Sequence, residues 1–337
     1  MKIKYTILLI LLSVGACKQK QKNMDITKPP ITESNKEKIT GENSLQHQLK
    51  AIKRYSEEPL YYIYVNHAQC FFQVLINDVP IFRYFEDGEI MSPIILNNYI
   101  SKSGQQTITY RLYPQTKRTY GEGFSALTKY TKFDVKLYKR NNADTANSFE
   151  NQKLLLTHHA ATKTDGKSFI GDGKDYYEYT FAFEAKVPYQ LKGLEDSQDL
   201  TKLDQKELLK KTEIAYHYYW DIINKKNQDD YFRLGFTPGI SQIISEYLDQ
   251  DLIQKGRNDE LLDFTEPTFK LEPLENYSMK LYGHGKIVCL EQTSDDLRLK
   301  KRWAIWGKYK TSEGETRVSF TKLYLHIPKG KDTFEII

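Results

Sequence analysis

The chain has 337 residues, 28% of them charged, with 49 lysines and arginines against 44 aspartates and glutamates. A formal charge of +5 spread over both signs gives a mixed, solvated surface and does not indicate nucleic acid as a partner. The length suffices for two ordinary domains even after an N-terminal leader is set aside.

Taken in chain order, Lys2 and Lys4 give a basic start, Thr6 to Ser13 is an apolar run (TILLILLS), and Val14, Gly15 and Ala16 are small residues before Cys17. This is the pattern of a signal peptide over residues 1–16. The run is too short to span a hydrocarbon core, which takes about 20 helical residues. The sequence VGAC resembles the lipobox of bacterial lipoproteins. That resemblance implies cleavage before Cys17 and acylation of the cysteine; two or three chains would make the anchor effectively permanent. Lys18 after the cysteine, by analogy with lipoprotein sorting, implies the outer membrane, facing the periplasm or the cell surface. Residues 17–43 hold no aromatic residue and contain Pro29-Pro30, so a flexible tether is expected.

From 44 to 190 an all-β domain is expected. Leu45, Leu49 and Ile52 first mark a short helix over 44–56. Strands then read at 61–66, 70–77, 79–85, 94–99, 107–113, 131–139, 153–157 and 176–186, with the clearest alternation at Ile108, Tyr110 and Leu112 and at Phe133, Val135 and Leu137. Turns at Asn77-Asp78, Asp87-Gly88, Ser103-Gly104, Asp165-Gly166 and Asp172-Gly173 complete the pattern of an antiparallel β-sandwich.

After Pro188 the polar run KGLEDSQDLTKLD reads as a domain boundary, and residues 200–337 as an α+β domain. Asp204-x-x-Glu207 is a capping box opening a helix to about Asn224, whose apolar side is Leu208, Ala215, Tyr216, Tyr219, Trp220 and Ile223. A helical turn is expected at 229–234, and Thr237-Pro238 is expected to start a second long helix that Gly256 stops. Strands at 277–282, 287–292, 302–309 and 316–327 would form a four-stranded antiparallel meander. The order, with the opening YHYYWDIINKKNQDDYFRL, loosely resembles the NTF2-like fold, which implies a long helix in a curved sheet and a hollow able to hold a small molecule.

Candidate chemistry is sparse. Glu213, His217 and Asp221 stand four apart on the first long helix, a spacing that aligns carboxylates with an imidazole as acid/base catalysis needs, yet their position beside the apolar stripe favours a solvated face. His158 and His159 are adjacent in a strand and should point to opposite faces, His284 sits in a turn between glycines, and no calcium-loop or zinc spacing occurs, so neither metal nor cofactor is expected. Trp303 and Trp306 should alternate across the last sheet, one in the core and one exposed as a binding anchor. Cys70 and Cys289 are expected as buried free thiols in different domains, with a bridge stapling the two domains as the alternative, and the abundant tyrosines as strand residues. The reading that follows is a membrane-anchored, non-catalytic binding lipoprotein with a protein partner in the envelope, in one form an immunity-type inhibitor; a small-ligand binder of NTF2-like type and an enzyme using His217 with Asp221 or Glu213 are the alternatives.

Overall fold

The computed structural model describes residues 29–33, 35, 38–119, 121–144 and 150–337. The expected signal peptide and Cys17 lie outside these residues.

Helix α1 (Ser44–Lys50) precedes eight strands: β1 (Pro59–Ala68), β2 (Cys70–Ile76), β3 (Val79–Tyr84), β4 (Ile94–Ile95), β5 (Gly104–Pro114), β6 (Lys132–Asn141), β7 (Lys153–His159) and β8 (Tyr177–Ala185). They form two antiparallel sheets, β4-β1-β6-β7 and β3-β2-β5-β8. Period-two patterning decides the faces. Ile63, Phe72, Val74, Ile108, Tyr110, Leu112, Phe133 and Val135, all 0% exposed, meet between the two sheets in one core. The Asn77-Asp78 turn has both residues at positive φ (49° and 63°), as a two-residue type I′ hairpin requires. The expected strand at 94–99 is only two residues long, because Asn97–Tyr99 winds into a 3₁₀ turn.

The second half supplies α2 (Gln205–Asn224), α3 (Gln228–Ser245) and α4 (Gln250–Thr265), then β9 (Lys270–Leu271), β10 (Tyr277–Tyr282), β11 (Ile287–Gln292), β12 (Trp306–Lys310), β13 (Thr316–Phe320), β14 (Leu325–His326) and β15 (Glu335–Ile336). Asp204 caps α2 by accepting from the Lys206 and Glu207 amides, as the capping box foretells. The second long helix is corrected. Asn227, not Thr237, starts α3 by accepting from Asp230 N, and Pro238 lies inside it. Buried Phe232 and Leu234 hold the turn before the proline in the helix. The helix ends where Tyr247 takes a φ of +54° and Leu248 N donates to Ile243 O, a Schellman closure. Gly256 does not stop a helix; it lies within α4, whose own cap is Asp249.

The expected four-stranded meander is also corrected. Its strands divide between the sheets β10-β11-β14-β15 and β13-β12-β9. Ala304 and Ile305, 1% and 0% exposed, fill the corner between them, so the strand expected from 302 begins at Trp306, and the one expected over 316–327 splits into β13 and β14.

The sheet β10-β11-β14-β15 is covered by α2 on one face. Tyr216, fully buried, donates to Leu323 O at 2.6 Å and accepts from Leu290 N at 2.9 Å. The opposite face rests on the outer face of the sandwich sheet containing β2 and β5, where Arg111 lies 5.9 Å from the Tyr282 ring. Leu75 and Val79 of the sandwich belong to the same core cluster as α2 and β11.

Two expectations change as a result. The described residues of the stretch expected as tether carry fixed contacts: Ile31 is 0% exposed and bridges Phe334, and Ile39 is 2% exposed. These isoleucines find a ready apolar surface in the C-terminal half, and α1 follows them there, with Arg257 Nη1 donating to Ser44 Oγ at 2.7 Å. The polar run expected as a linker between independent domains is fixed structure. Leu200 is 0% and Ser197 1% exposed, and Gln198 N donates to Ile327 O at 2.8 Å. The Gly283 amide donates to Asp78 O at 3.0 Å, and at a φ of +60° a Cβ on Gly283 would stand 2.6 Å from Leu194 Cδ1, so this clasp between the halves calls for glycine. Cutting the chain between 193 and 202 should therefore give a C-terminal fragment with no cooperative thermal transition, because Ile31, Leu75 and Val79 of its core are missing. A cooperative melt of that fragment alone would show that the halves fold independently.

Candidate functional site

The sequence-selected residues do not assemble into one site. His217 is exposed on α2. Glu213 accepts from Tyr277 OH at 3.0 Å and Asp221 pairs with Lys225 at 2.6 Å, so both carboxylates are engaged away from the imidazole. His217→Ala should change unfolding free energy by less than about 0.5 kcal/mol, checked by urea titration. Trp303 and Trp306 are both half-buried, which corrects the expectation of one core and one exposed ring. They sit on different stretches of chain: Trp303 edges against Tyr324, and Trp306 stacks on Phe320, its cross-strand partner, at 5.9 Å.

The two histidines of β7 do face opposite ways. His158 stacks on Phe181 at 4.4 Å and meets Tyr110 OH at 3.2 Å, while His159 Nδ1 meets Asp134 Oδ1 at 2.7 Å. Cys70 and Cys289 are buried free thiols; burial pushes the Cys70 thiol up to about 12 and raises Cys289 as well, so neither is a thiolate nucleophile. Among the described residues no group of three or more His, Cys, Asp or Glu side chains is placed to hold a metal ion, and no helix is long and apolar enough to cross a membrane.

One cluster has the composition of a hydrolytic triad. Ser197 Oγ lies 2.7 Å from His326 Nδ1, and Glu335 Oε2 lies 3.9 Å from His326 Nε2. All three are at most 3% exposed, and Glu335 is also held by Lys331 and Lys192. A serine that substrate cannot reach is no nucleophile, so the cluster acts as a latch holding the C-terminal strand to the 196–198 segment.

The feature with the shape of a binding site is a groove of about 440 Å³ beside the open edges of both sandwich sheets. Strand pairing puts β3 at the rim of one sheet and β4 at the rim of the other, on the same side of the sandwich. Ile81 and Phe82 of β3, Ile94 and Ile95 of β4, and Ile90 and Pro93 between them form an apolar wall. Ile95 remains 41% exposed, and Met91, on the same connection, 81% exposed. A volume in the range of ligand pockets, lined by apolar side chains, is the usual form of a recognition site.

The far side of the groove is polar. Glu246, the C-cap of α3, accepts from Gln242 Nε2 at 3.2 Å, and burial raises its carboxyl above the ordinary glutamate value. Lys322 donates to Tyr99 OH at 2.9 Å and lies 4.8 Å from that ring. The groove thus offers a long apolar contact and one carboxyl able to receive a donor. It escaped sequence reasoning, although the apolar letters of the run Ile90-Met91-Ser92-Pro93-Ile94-Ile95 were visible. A strand pattern there does not tell whether the strand is interior or at an edge.

No protein-family model matches the chain, and neither a curated protein nor a solved structure matches it.

Proposed function

We propose that the protein is an envelope lipoprotein, anchored through acyl chains on Cys17 at the outer membrane, whose folded part is a non-catalytic binding protein for a protein partner. The observation that carries the binding reading is the groove beside β3 and β4, with Ile95 of its lining left in water and Met91 exposed on the connection between the lining residues Ile90 and Ser92. Exposed apolar side chains cost solubility on a free surface, and two open sheet edges invite pairing by an extended segment of another chain. An inhibitor held at the membrane to meet an incoming toxin is the narrower form of this reading. A small-ligand binder of NTF2-like type is the alternative reading, in which the ligand would lie between the long helix α2 and its sheet. There the space between α2 and its sheet is filled by Tyr216, so a ligand would have to be taken elsewhere.

The anchor and the groove are tested separately. Cys17→Ser should remove the protein from the membrane fraction or leave it unprocessed; a normally matured, membrane-bound variant would refute the anchor. For the groove, a photo-crosslinking side chain at Met91 in intact cells should give a discrete adduct that Ile95→Lys abolishes, while the same probe at Val318, 47% exposed on β13, gives none. Equal adducts from both positions, or none at Met91, would refute the groove as the contact surface.

A further inference from the structure

A second recess lies at the seam between the halves and is independent of the groove. In the register of β10 and β11, Ser278 stands opposite Glu291 and Lys280 opposite Cys289, which puts Ser278, Lys280 and Glu291 on one face. Tyr282, two residues beyond Lys280, shares that face and reaches the Arg111 side chain of the sandwich. Where the seam comes to the surface it opens as a cleft of about 220 Å³, with Lys280, Lys300 and Lys301 around it and Glu291 within it.

Glu291 is 4% exposed. Its Oε1 accepts from Tyr282 OH at 2.7 Å, while its Oε2, shielded from solvent, has no hydrogen-bond partner among the described residues. A buried carboxylate oxygen left so is costly, on the order of 1–3 kcal/mol or more, and calls for a donor. Burial raises the Glu291 carboxyl, against the pull of Lys301, Lys280 and Arg111. Arg111 is already taken by Glu178 at 2.5 Å. The lysines are not: Lys280, Lys300 and Lys301 form no ion pair among the described residues. Lys301 is held in the left-handed region at a φ of +58°, its amide donating to Gln292 O at 3.1 Å and its ammonium 5.2 Å from the Tyr113 ring. A non-glycine residue in that conformation is uncommon and is maintained here by the packing of both halves.

The charges select the ligand. Three ammonium groups exceed what one carboxylate ligand neutralises and match a phosphate monoester, which carries about two charges and which lysine binds as a point charge. The donor that Glu291 Oε2 requires cannot be a second cation, which the lysines would repel; a hydroxyl meets the need. We propose that the cleft binds a sugar bearing a phosphate monoester, the phosphate among Lys280, Lys300 and Lys301 and a neighbouring hydroxyl donating to Glu291 Oε2 at the floor of the cleft once the lysine side chains over it swing onto the phosphate. Ser278 supplies a hydroxyl for the remaining polar contacts, and Thr293 Oγ1, which donates to Asn276 O at 2.9 Å, can accept from one.

Calorimetry on the full acylated chain in detergent, with glucose 1-phosphate, inorganic phosphate and glucose as probes, tests this. Glucose 1-phosphate should bind most tightly and glucose least, and affinity should fall with salt. Lys280→Gln and Lys300→Gln, at solvent-accessible positions, should each weaken glucose 1-phosphate about tenfold. Glu291→Gln should tighten inorganic phosphate and shrink the preference for the sugar phosphate; should that variant not fold, the lysine variants and the probe series decide alone. Phosphatidylcholine vesicles doped with a lipid whose sugar carries a phosphate monoester will displace glucose 1-phosphate if the source is membrane-borne and will not if it is free, and both results support the cleft. Failure of glucose 1-phosphate to bind at millimolar concentration, or binding indifferent to both lysine substitutions, overturns the proposal.

Discussion

Tyr216→Phe will destabilise the protein by about 3 kcal/mol, a large effect for the loss of one oxygen atom. The strands β11 and β14 pair through a single residue couple, Val288 with Leu325. Beyond that couple the Tyr216 hydroxyl bridges them, accepting from Leu290 N at 2.9 Å and donating to Leu323 O at 2.6 Å. It stands in for a ladder bond between two backbone groups that nothing else reaches. Phenylalanine keeps the apolar contacts and leaves both groups buried and unpaired, each costing on the order of 1–3 kcal/mol. Burial also raises the hydroxyl well above its ordinary pKa, which favours the protonated, donating form. Urea unfolding should show a lower midpoint with an unchanged slope, while Tyr179→Phe, at a side chain 42% exposed, should move it by less than about 0.5 kcal/mol. A Tyr216→Phe protein as stable as the parent would mean that the two strands approach closely enough to bond directly.

Tyr216 also shows what the sequence could carry. It belonged to the apolar side expected of the first long helix, as did Leu208, Ala215, Tyr219 and Ile223, all of them buried. Its pairing with two backbone groups 74 and 107 residues away had no local sign. The sandwich was legible for a similar reason: alternation at Ile108, Tyr110 and Leu112 reports one buried face whatever lies opposite. Long-range packing is what defeated the other readings. The residues from 191 to 203 look like a linker because most are polar, yet the backbone of Gln198 is claimed by Ile327 and Leu200 enters the core. Pro238 is a good helix start taken alone; Phe232 and Leu234, buried one turn and more before it, decided that the helix already existed. At the candidate sites, spacing placed Glu213, His217 and Asp221 on one side of α2, but Tyr277 and Lys225 determine what the carboxylates do. The lysines of the seam cleft stand in a visible basic run, Arg298 to Arg302, whose meaning depends on Glu291 from another strand.

Acid should lower the protein's stability through His326 well before it titrates ordinary carboxylates. His326, 3% exposed beside Ser197, has its pKa lowered to about 4, chiefly by burial and further by Lys192 and Lys331, against Glu335, which raises it. The unfolded chain takes up this proton near pH 6.5 and the folded chain only near 4, so between those values the unfolded state binds more protons and stability falls as pH falls. The loss amounts to about 2 kcal/mol at pH 5 and about 3 kcal/mol by pH 4. His67 and His158, whose pKa values burial also lowers, add to the same slope. The half-buried Glu246 and the buried Glu291, both raised by desolvation, act with the opposite sign, their contribution present at low pH and lost as pH rises. Glu260 is raised to about 7, but its side chain is solvent-exposed, where screening leaves it little effect on stability. Because these terms oppose one another in the parent, the informative quantity is a difference. His326→Gln keeps a partner for Ser197 Oγ and removes the titration, so the variant's stability relative to the parent should improve by about 2 kcal/mol between pH 7.5 and pH 5. Urea titrations of both proteins at the two pH values measure it, and a difference that stays constant with pH would show that His326 does not titrate across the folding transition.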